Sequence, residues 1–382
     1  MPVAGPIIHK DGVIAVVTTA SRLADRHDNR VGPAPREGFM KYFAGLDVSL
    51  QETAICIVDE DGIVIIEGKA ASEPDDLVRW LAATGLTIER VGLEAGPLSP
   101  WLHAGLRGAG LPAICIETRR MKGATAAMAV KTDRNDARAI AHAMRVGWFT
   151  TVHVKTAESQ ELRLLLSNRR TLLEKRVAID NEIRGTLKAF GLKLGKVTVA
   201  AFEARVLELL ADRSRLLAMV KPMLAARAAL RQQCEVLHRM VLKMVRANAI
   251  CRRLLSVPGV GPIVALTYAT GVDDPTRFAH ARDLGPHFGL TPRKYASGEI
   301  DRNGSITKAG DGAVREALVQ AALTLLTRVQ RWSVLKAWGM AIAKRRGLRR
   351  AIVAVARKLA IVMHRIWVDG TTFTWSRETA AA

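Results

Sequence analysis

The feature that most limits the fold is a change of hydrophobic period near residue 150. Before it, short apolar runs alternate with turn residues and short amphipathic stretches; after it, apolar positions recur at helical spacing for about a hundred residues. KYFAGLDVSL (41–50), ETAICIVD (52–59) and IVIIEGKA (63–70) read as three strands, the last two joined by the turn DEDG (59–62). DDLVRWLAATGL is an amphipathic helix, ERVGLEAG a strand, PLSPWLHAGLRGAG a helix entered through prolines, and LPAICIET a fifth strand. Another helix follows from 133 to 146. Three strands, then helix, strand, helix, strand, helix predict a mixed sheet with helices on its faces.

From 156 to 250 the chain is nearly all helix. Leu162, Leu166, Leu173, Val177, Ile183 and Leu187 form one apolar stripe; Val220, Leu224, Leu230, Cys234, Leu237, Val241 and Met244 form a second. FGLKLGKVTV (190–199) interrupts them, so two long helices in a coiled-coil-like hairpin are expected. A basic helical domain follows over 251–370. Residues 1–40 are expected to be a disordered extension, with Met40 as an alternative start, and 371–382 a tail.

Lys and Arg outnumber Asp and Glu by 57 to 36, a net charge of +21, which favours a polyanionic partner. Aromatics make up only 5% of the chain, against a surface that stacks many single-stranded bases. The four cysteines form no CxxC pair and the nine histidines no HxxxH or HExxH spacing, so neither a zinc module nor a disulfide framework is readable. No uncharged apolar run is long enough to span a bilayer. A cytoplasmic, nucleoid-associated protein is expected, with no membrane partner.

In KTDRNDARAIAHAMR (131–145), Asp133 and Asp136 share a helix face near its N-terminus. The plain reading is a capping Asp133 and a solvated Asp136. The other reading joins them to Asp47, near the end of the first strand, and Glu94, near the end of the fourth. Four converging carboxylates are tolerable where a divalent cation neutralises them, and an all-oxygen set suits Mg²⁺ or Mn²⁺. Asp59, Asp61 and Glu117 read as turn or strand-end acids.

FAGLDVSLQETAICIVDEDG, VGLEAG and KTDRNDARAIAHAMRVGWF, within residues 42–149, resemble the RuvC-like, RNase-H-fold domain of the DEDD insertion-sequence transposases, the family usually called IS one-ten. The resemblance implies metal-binding roles for Asp47, Glu94, Asp133 and Asp136.

Further along, PGVGP (258–262) lies between apolar helical segments and resembles a helix-hairpin-helix turn. Gly259 and Gly261 there either admit a phosphate backbone to the following helix start or simply make a tight turn. Between 317 and 368 there is no Asp or Glu but eleven Lys and Arg, with Lys344, Arg345, Arg346, Arg349 and Arg350 in KRRGLRR. Such a one-signed run points to phosphate contact more than to a solvated face. Ser297 stands in a polar loop beside Arg293, Lys294 and Arg302, with Lys308 beyond. No His–Asp pair accompanies it, but a hydroxyl among cations can attack a phosphate. GLTPRKYASGEIDRNGSITKAGDGAVREALVQAA (289–322) is similar to the C-terminal domain of the same family, and Ser297 falls on its nucleophile position. Ser305, which precedes ITK, does not. The departures are GPHFGL ahead of the Pro and Asp311 in place of a commoner Asn.

The resemblance implies a transposase or recombinase that cuts and rejoins donor and target DNA through a phosphoseryl intermediate. It implies guidance by a structured noncoding bridge RNA, and a homo-oligomer, dimer or tetramer. Two alternatives stay open: a metal-dependent nuclease or Holliday junction resolvase with water as nucleophile, and a noncatalytic nucleic-acid scaffold.

Overall fold

The structure, a computed structural model, describes residues 40–118 and 132–375. The expected extension up to residue 39, Lys131 and the end of the tail from 376 lie outside the described residues. The chain divides into two compact units between Lys155 and Thr156. No helix among the described residues is long and apolar enough to cross a membrane.

The first unit is built on a five-stranded sheet of order β3-β2-β1-β4-β5. The strands are β1 Tyr42–Val48, β2 Glu52–Val58, β3 Val64–Ala71, β4 Ile88–Glu94 and β5 Ala113–Ile116. β1, β2 and β3 pair antiparallel, while β4 runs parallel to β1 and β5 parallel to β4. This is the mixed sheet expected of an RNase-H-like domain. The DEDG turn forms as read: Asp59 Oδ1 accepts from the backbone N–H of Asp61 and of Ile63, and Gly62 supplies a φ of 89°.

One sheet face packs on α1 (Pro74–Ala83) and α2 (Ser99–Gly108) around Leu46, Leu77, Leu93 and Leu102. The opposite face packs on α3 (Asp133–Val146), where Phe43, Ala54, Cys56 and Ile116 meet Ala137, Ile140, Ala141 and Met144. The two faces use alternate strand residues, as the pleat requires. The contact with α3 is close because Gly45 and Gly92 lack side chains. A Cβ on Gly45 would stand 2.2 Å from the Ala137 carbonyl oxygen, and one on Gly92 2.7 Å from Met144 Cγ. Arg90 Nη1 donates to the Met144 carbonyl at 2.8 Å, and Gly147, at φ 69°, ends the helix.

The second unit opens with α4 (Ala157–Ala189) and α6 (Ser214–Ala247), which carry the two apolar stripes. They run antiparallel: Arg227 on α6 donates to Asp180 on α4 at 2.5 Å, and Cys234 Sγ to the Arg169 carbonyl nearer the other end. Between them the chain folds into a helix the sequence analysis did not expect, α5 (Phe202–Leu209). Phe202 and Val206 join Ile183, Leu187, Val220 and Leu224 in a small core. The remainder is a larger helical core from α7 (Ala249–Leu254), α8 (Pro262–Val272), α9 (Leu284–His287), α10 (Gly312–Thr327), α11 (Val334–Arg346) and α12 (Leu348–Asp369). Of the expected tail, Phe373 N–H donates to Ser256 Oγ at 2.9 Å, and Arg331 lies over the Trp375 ring.

Asp311 caps α10, accepting from the backbone N–H of Ala313 and Val314, and pairs with Arg163 of α4 at 2.7 Å. Burial alone would raise its carboxyl; the Arg163 guanidinium and the two N–H groups outweigh that and hold it below the usual carboxylate range. Stability from a depressed carboxyl is present above the unfolded value and lost as pH falls through the folded one.

Gly45→Ala should therefore destabilise the first unit by about 2 kcal/mol or more, with α3 losing hydrogen-exchange protection before the rest of the sheet. Asp311→Asn keeps a capping oxygen but loses the ion pair. At neutral pH it should cost the second unit on the order of 1 kcal/mol in denaturant melts, a difference that closes on acidification below the carboxylate range.

Candidate active site

Asp47 and Glu94 sit side by side. The parallel register of β1 and β4 reads Gly45↔Gly92 and Leu46↔Leu93, so the next residues along the two strands are Asp47 and Glu94. By the pleat both point to the face that Gly45 and Gly92 open to α3. Each has a polar or ionic partner in the structure, and each is half-buried.

The loops beyond them are pinned. After Asp47, the Ser72 hydroxyl donates to the Ser49 carbonyl at 2.9 Å and bonds Thr53 Oγ1 at 2.8 Å. After Glu94, the Ser99 hydroxyl donates to the Glu94 carbonyl while accepting from the Gly96 N–H at 2.8 Å.

The helix α3 runs opposite to these strands. Its last turn meets Arg90, which lies beside Phe43 at the strand beginnings, so its first turn lies toward the strand ends that carry Asp47 and Glu94. From Gly45 to Asp47 is about 6.6 Å along β1, and from Ala137 back to Asp133 about 6 Å along the helix. Asp133 is on the Ala137 line, over β1, and Asp136 on the Ile140 line, over β4. The cap differs from the plain reading of the sequence. Thr132 is the N-cap residue, its hydroxyl accepting from Asn135 N–H, and Asp133 is the first helical residue, exposed, with Asp136 half-buried. As placed, no three His, Cys, Asp or Glu side chains among the described residues stand close enough to hold a metal ion. The four side chains are nonetheless all carboxylates and lie toward one end of one sheet face, a set of hard oxygens of the kind divalent cations accept.

Sequence reasoning missed Glu67. This β3 residue accepts from Arg134 Nε at 2.6 Å and from Arg138 Nη2 at 2.9 Å, with Arg138 Nε on its other oxygen. Burial would raise its carboxyl, but the bonds and charges of Arg138 and Arg134 prevail and hold it low. The available signal was an acid in the middle of the apolar run IVIIEGKA, with two arginines four apart on α3. Burial, with Glu67 beside it, pushes the neighbouring Cys56 thiol up to about 12, so that cysteine is inert.

Ser297 belongs to the second unit. It is the last residue of β6 (Pro292–Ser297), which pairs antiparallel with β7 (Ile300–Ile306) through the two-residue turn Gly298–Glu299. The expectation of a plain loop is thus corrected: this is a hairpin, missed because β6 is polar and exposed along its whole length and shows no buried alternation. Gly298, at φ 54° in the first turn position, fits a II′ turn. Tyr295 pairs with Arg302, whose guanidinium lies 5.8 Å from its ring. By alternation Ser297, Tyr295, Arg293 and Arg302 share one face, while Lys294 turns to the other and meets Asp301 at 3.3 Å. The base of the hairpin is fixed where Lys308, at φ 56°, donates its N–H to the Gly289 carbonyl.

In PGVGP the two glycines differ. A Cβ on Gly259 would lie 2.4 Å from the Ala321 carbonyl oxygen, so this glycine admits α10, whereas Gly261, the N-cap of α8, faces open space. Lys344, Arg345 and Arg346 end α11, and Arg349 and Arg350 lie in the first turn of α12; all five are exposed. A cleft of about 760 Å³ between α4, α8 and α10, lined by Leu166, Leu173, Val177 and Ile263, contains none of these residues.

Residues 251–338 match the Transposase IS116/IS110/IS902 family, and residues 44–191 match an IS110-type DEDD transposase family. The transposase for insertion sequence element IS1111A of Coxiella burnetii is 32% identical over 325 residues, covering 84% of this chain and 87% of that protein. The transposase for insertion sequence element IS1328 of Yersinia enterocolitica is 28% identical, over 64% of this chain and 75% of its own length. Among solved structures, Thermus thermophilus RuvC aligns over 29% of this chain and 99% of its own, at 14% identity and a TM-score of 0.22. On the two family matches and the long relative, the chain belongs to the IS110/IS116/IS902 family of insertion-sequence transposases.

Proposed function

We propose that this transposase, a DNA strand-transfer enzyme, uses the carboxylates of the first unit and the serine of the second for one reaction. The observation that carries the proposal is the β1–β4 register, ending at Leu46↔Leu93, whose next residues are Asp47 and Glu94 at the sheet end approached by the first turn of α3. Asp47, Glu94, Asp133 and Asp136 would hold Mg²⁺ or Mn²⁺, and a divalent cation there would polarise a scissile phosphate.

Ser297 is the nucleophile. Its Oγ forms a bond to phosphorus as a P–O bond of the strand breaks, the serine proton passing in net to the strand-end oxygen that leaves as a hydroxyl, and the phosphoseryl ester keeps the bond energy for rejoining without a nucleotide cofactor. Arg293 and Arg302 share its hairpin face and stabilise charge on the phosphate. Lys294 and Lys308 contact the flanking backbone. Strand exchange and resealing then pass through a Holliday-junction-like species. The protein works as a homo-oligomer whose geometry the long α4–α6 pair sets. The protein acts in the cytoplasm on nucleoid DNA, and a bridge RNA from the element supplies sequence recognition.

The basic segment supports polyanion binding on physical grounds. Arg349 and Arg350 lie in the first turn of α12 with no acid there, where the helix dipole disfavours cations by about 0.3–1 kcal/mol each. A phosphate backbone across Lys344, Arg345, Arg346, Arg349 and Arg350 offsets that cost, with Gly261 giving close access at the start of α8.

With donor and target DNA and Mg²⁺, the protein should form a denaturation-resistant DNA adduct. Ser297→Ala and Asp133→Asn should each abolish it, at least a thousandfold in rate; full cleavage by Ser297→Ala would instead establish a water nucleophile, and unchanged reaction by Asp133→Asn a structural role for the acids. The full-length protein should also purify with one discrete RNA. Alanine at the five basic positions should release it and flatten the log Kd–log salt slope for duplex DNA by up to about 4; heterogeneous fragments would mean nonspecific affinity.

A further inference from the structure

We infer that Glu67 is a positioning residue for the α3 carboxylates: it fixes the rotation of that helix and keeps Arg134 and Arg138 from pairing with the metal-binding acids. The inference rests on the carboxylate reading above and names a residue outside it.

Arg134 and Arg138 are one helical turn apart and alternate with the acids along the sequence, Asp133, Arg134, Asp136, Arg138. On the helix surface they separate. Asp133 follows the Ala137 line over β1 and Asp136 the Ile140 line over β4, which leaves the two arginines on the flank nearer β2 and β3. Glu67 receives them there. Its two oxygens take Arg138 through both Nε and Nη2, and one also takes Arg134 Nε. Its own position is set by the β2–β3 register, where it pairs with the buried Cys56. Glu67 is well covered, at 13% side-chain exposure, whereas Arg134 is 67% exposed and is held mainly by this contact.

Two consequences follow. A carboxylate clamped by two guanidinium groups on one helix flank stops the helix from rolling, and a roll would move Asp133 and Asp136 away from Asp47 and Glu94. Secondly, a released Arg134 is adjacent in sequence to Asp133 and long enough to reach its carboxylate. It would then compete with a divalent cation for the same oxygens.

The test is Mn²⁺ binding to the full-length protein, followed by the free-ion electron paramagnetic resonance signal, with far-UV circular dichroism as the check on folding. Glu67→Gln should weaken binding by about tenfold or more. Glu67→Gln with Arg134→Gln should recover most of that loss, because the competitor is gone; a merely structural salt bridge would give no recovery. Should Glu67→Gln misfold, Glu67→Asp, too short to hold both arginines, should show a smaller weakening of several-fold with the fold intact. Wild-type binding by Glu67→Gln or Glu67→Asp, alongside lost binding in Asp133→Asn, would overturn the role of Glu67 alone. Wild-type binding in Asp133→Asn would overturn the carboxylate reading beneath it.

Discussion

The structure of the first unit depends on how closely the backbone of α3 can lie on β1. At Gly45 the helix backbone occupies the space of a side chain. With a second glycine at position 92, the helix settles into the sheet rather than above it. That depth brings its first turn level with the strand ends carrying Asp47 and Glu94. A helix lifted by one methyl group would still bury Ile140 and Met144, but its acids would stand off from the sheet. The charged contacts around α3 refine this placement: Arg90 holds the last turn and Glu67 the first.

The second unit solves a different problem, which is to hold one exposed hairpin firmly. β6 and β7 bury little and cannot stand alone as a two-stranded ribbon. Their footing is the crossing at Gly289 and Gly310, where a Cβ on Gly310 would overlap the His287 carbonyl oxygen. Immediately beyond, Asp311 ties the start of α10 to α4. The serine therefore stands on a short arm with a fixed base, and among the described residues no acid forms an ion pair with Arg293 or Arg302 on its face.

Much of this was legible in the sequence because elements with one buried face advertise their period. The five strands, the α3 stripe and the two long helices all read correctly, and the acids could be assigned to strand ends and to a helix start. The resemblance to a known family supplied the roles. Less was legible where burial is absent or distant. The hairpin bearing Ser297 has no apolar face, so its alternation is silent. α5 buries only Phe202 and Val206 against a core made by residues on both sides of it. Thr132 took the cap that Asp133 could equally have filled.

The sequence by itself determined the five strands of the sheet, the helices that carry an apolar stripe and the excess of positive charge, because these depend on local spacing and on composition. Only the tertiary structure decided that Glu67 is the partner of arginines 67 and 71 residues later. It also decided that Gly259 serves packing while Gly261 stays open. Those outcomes require knowing which surfaces meet. That follows from strand order and helix depth, and no local period encodes either.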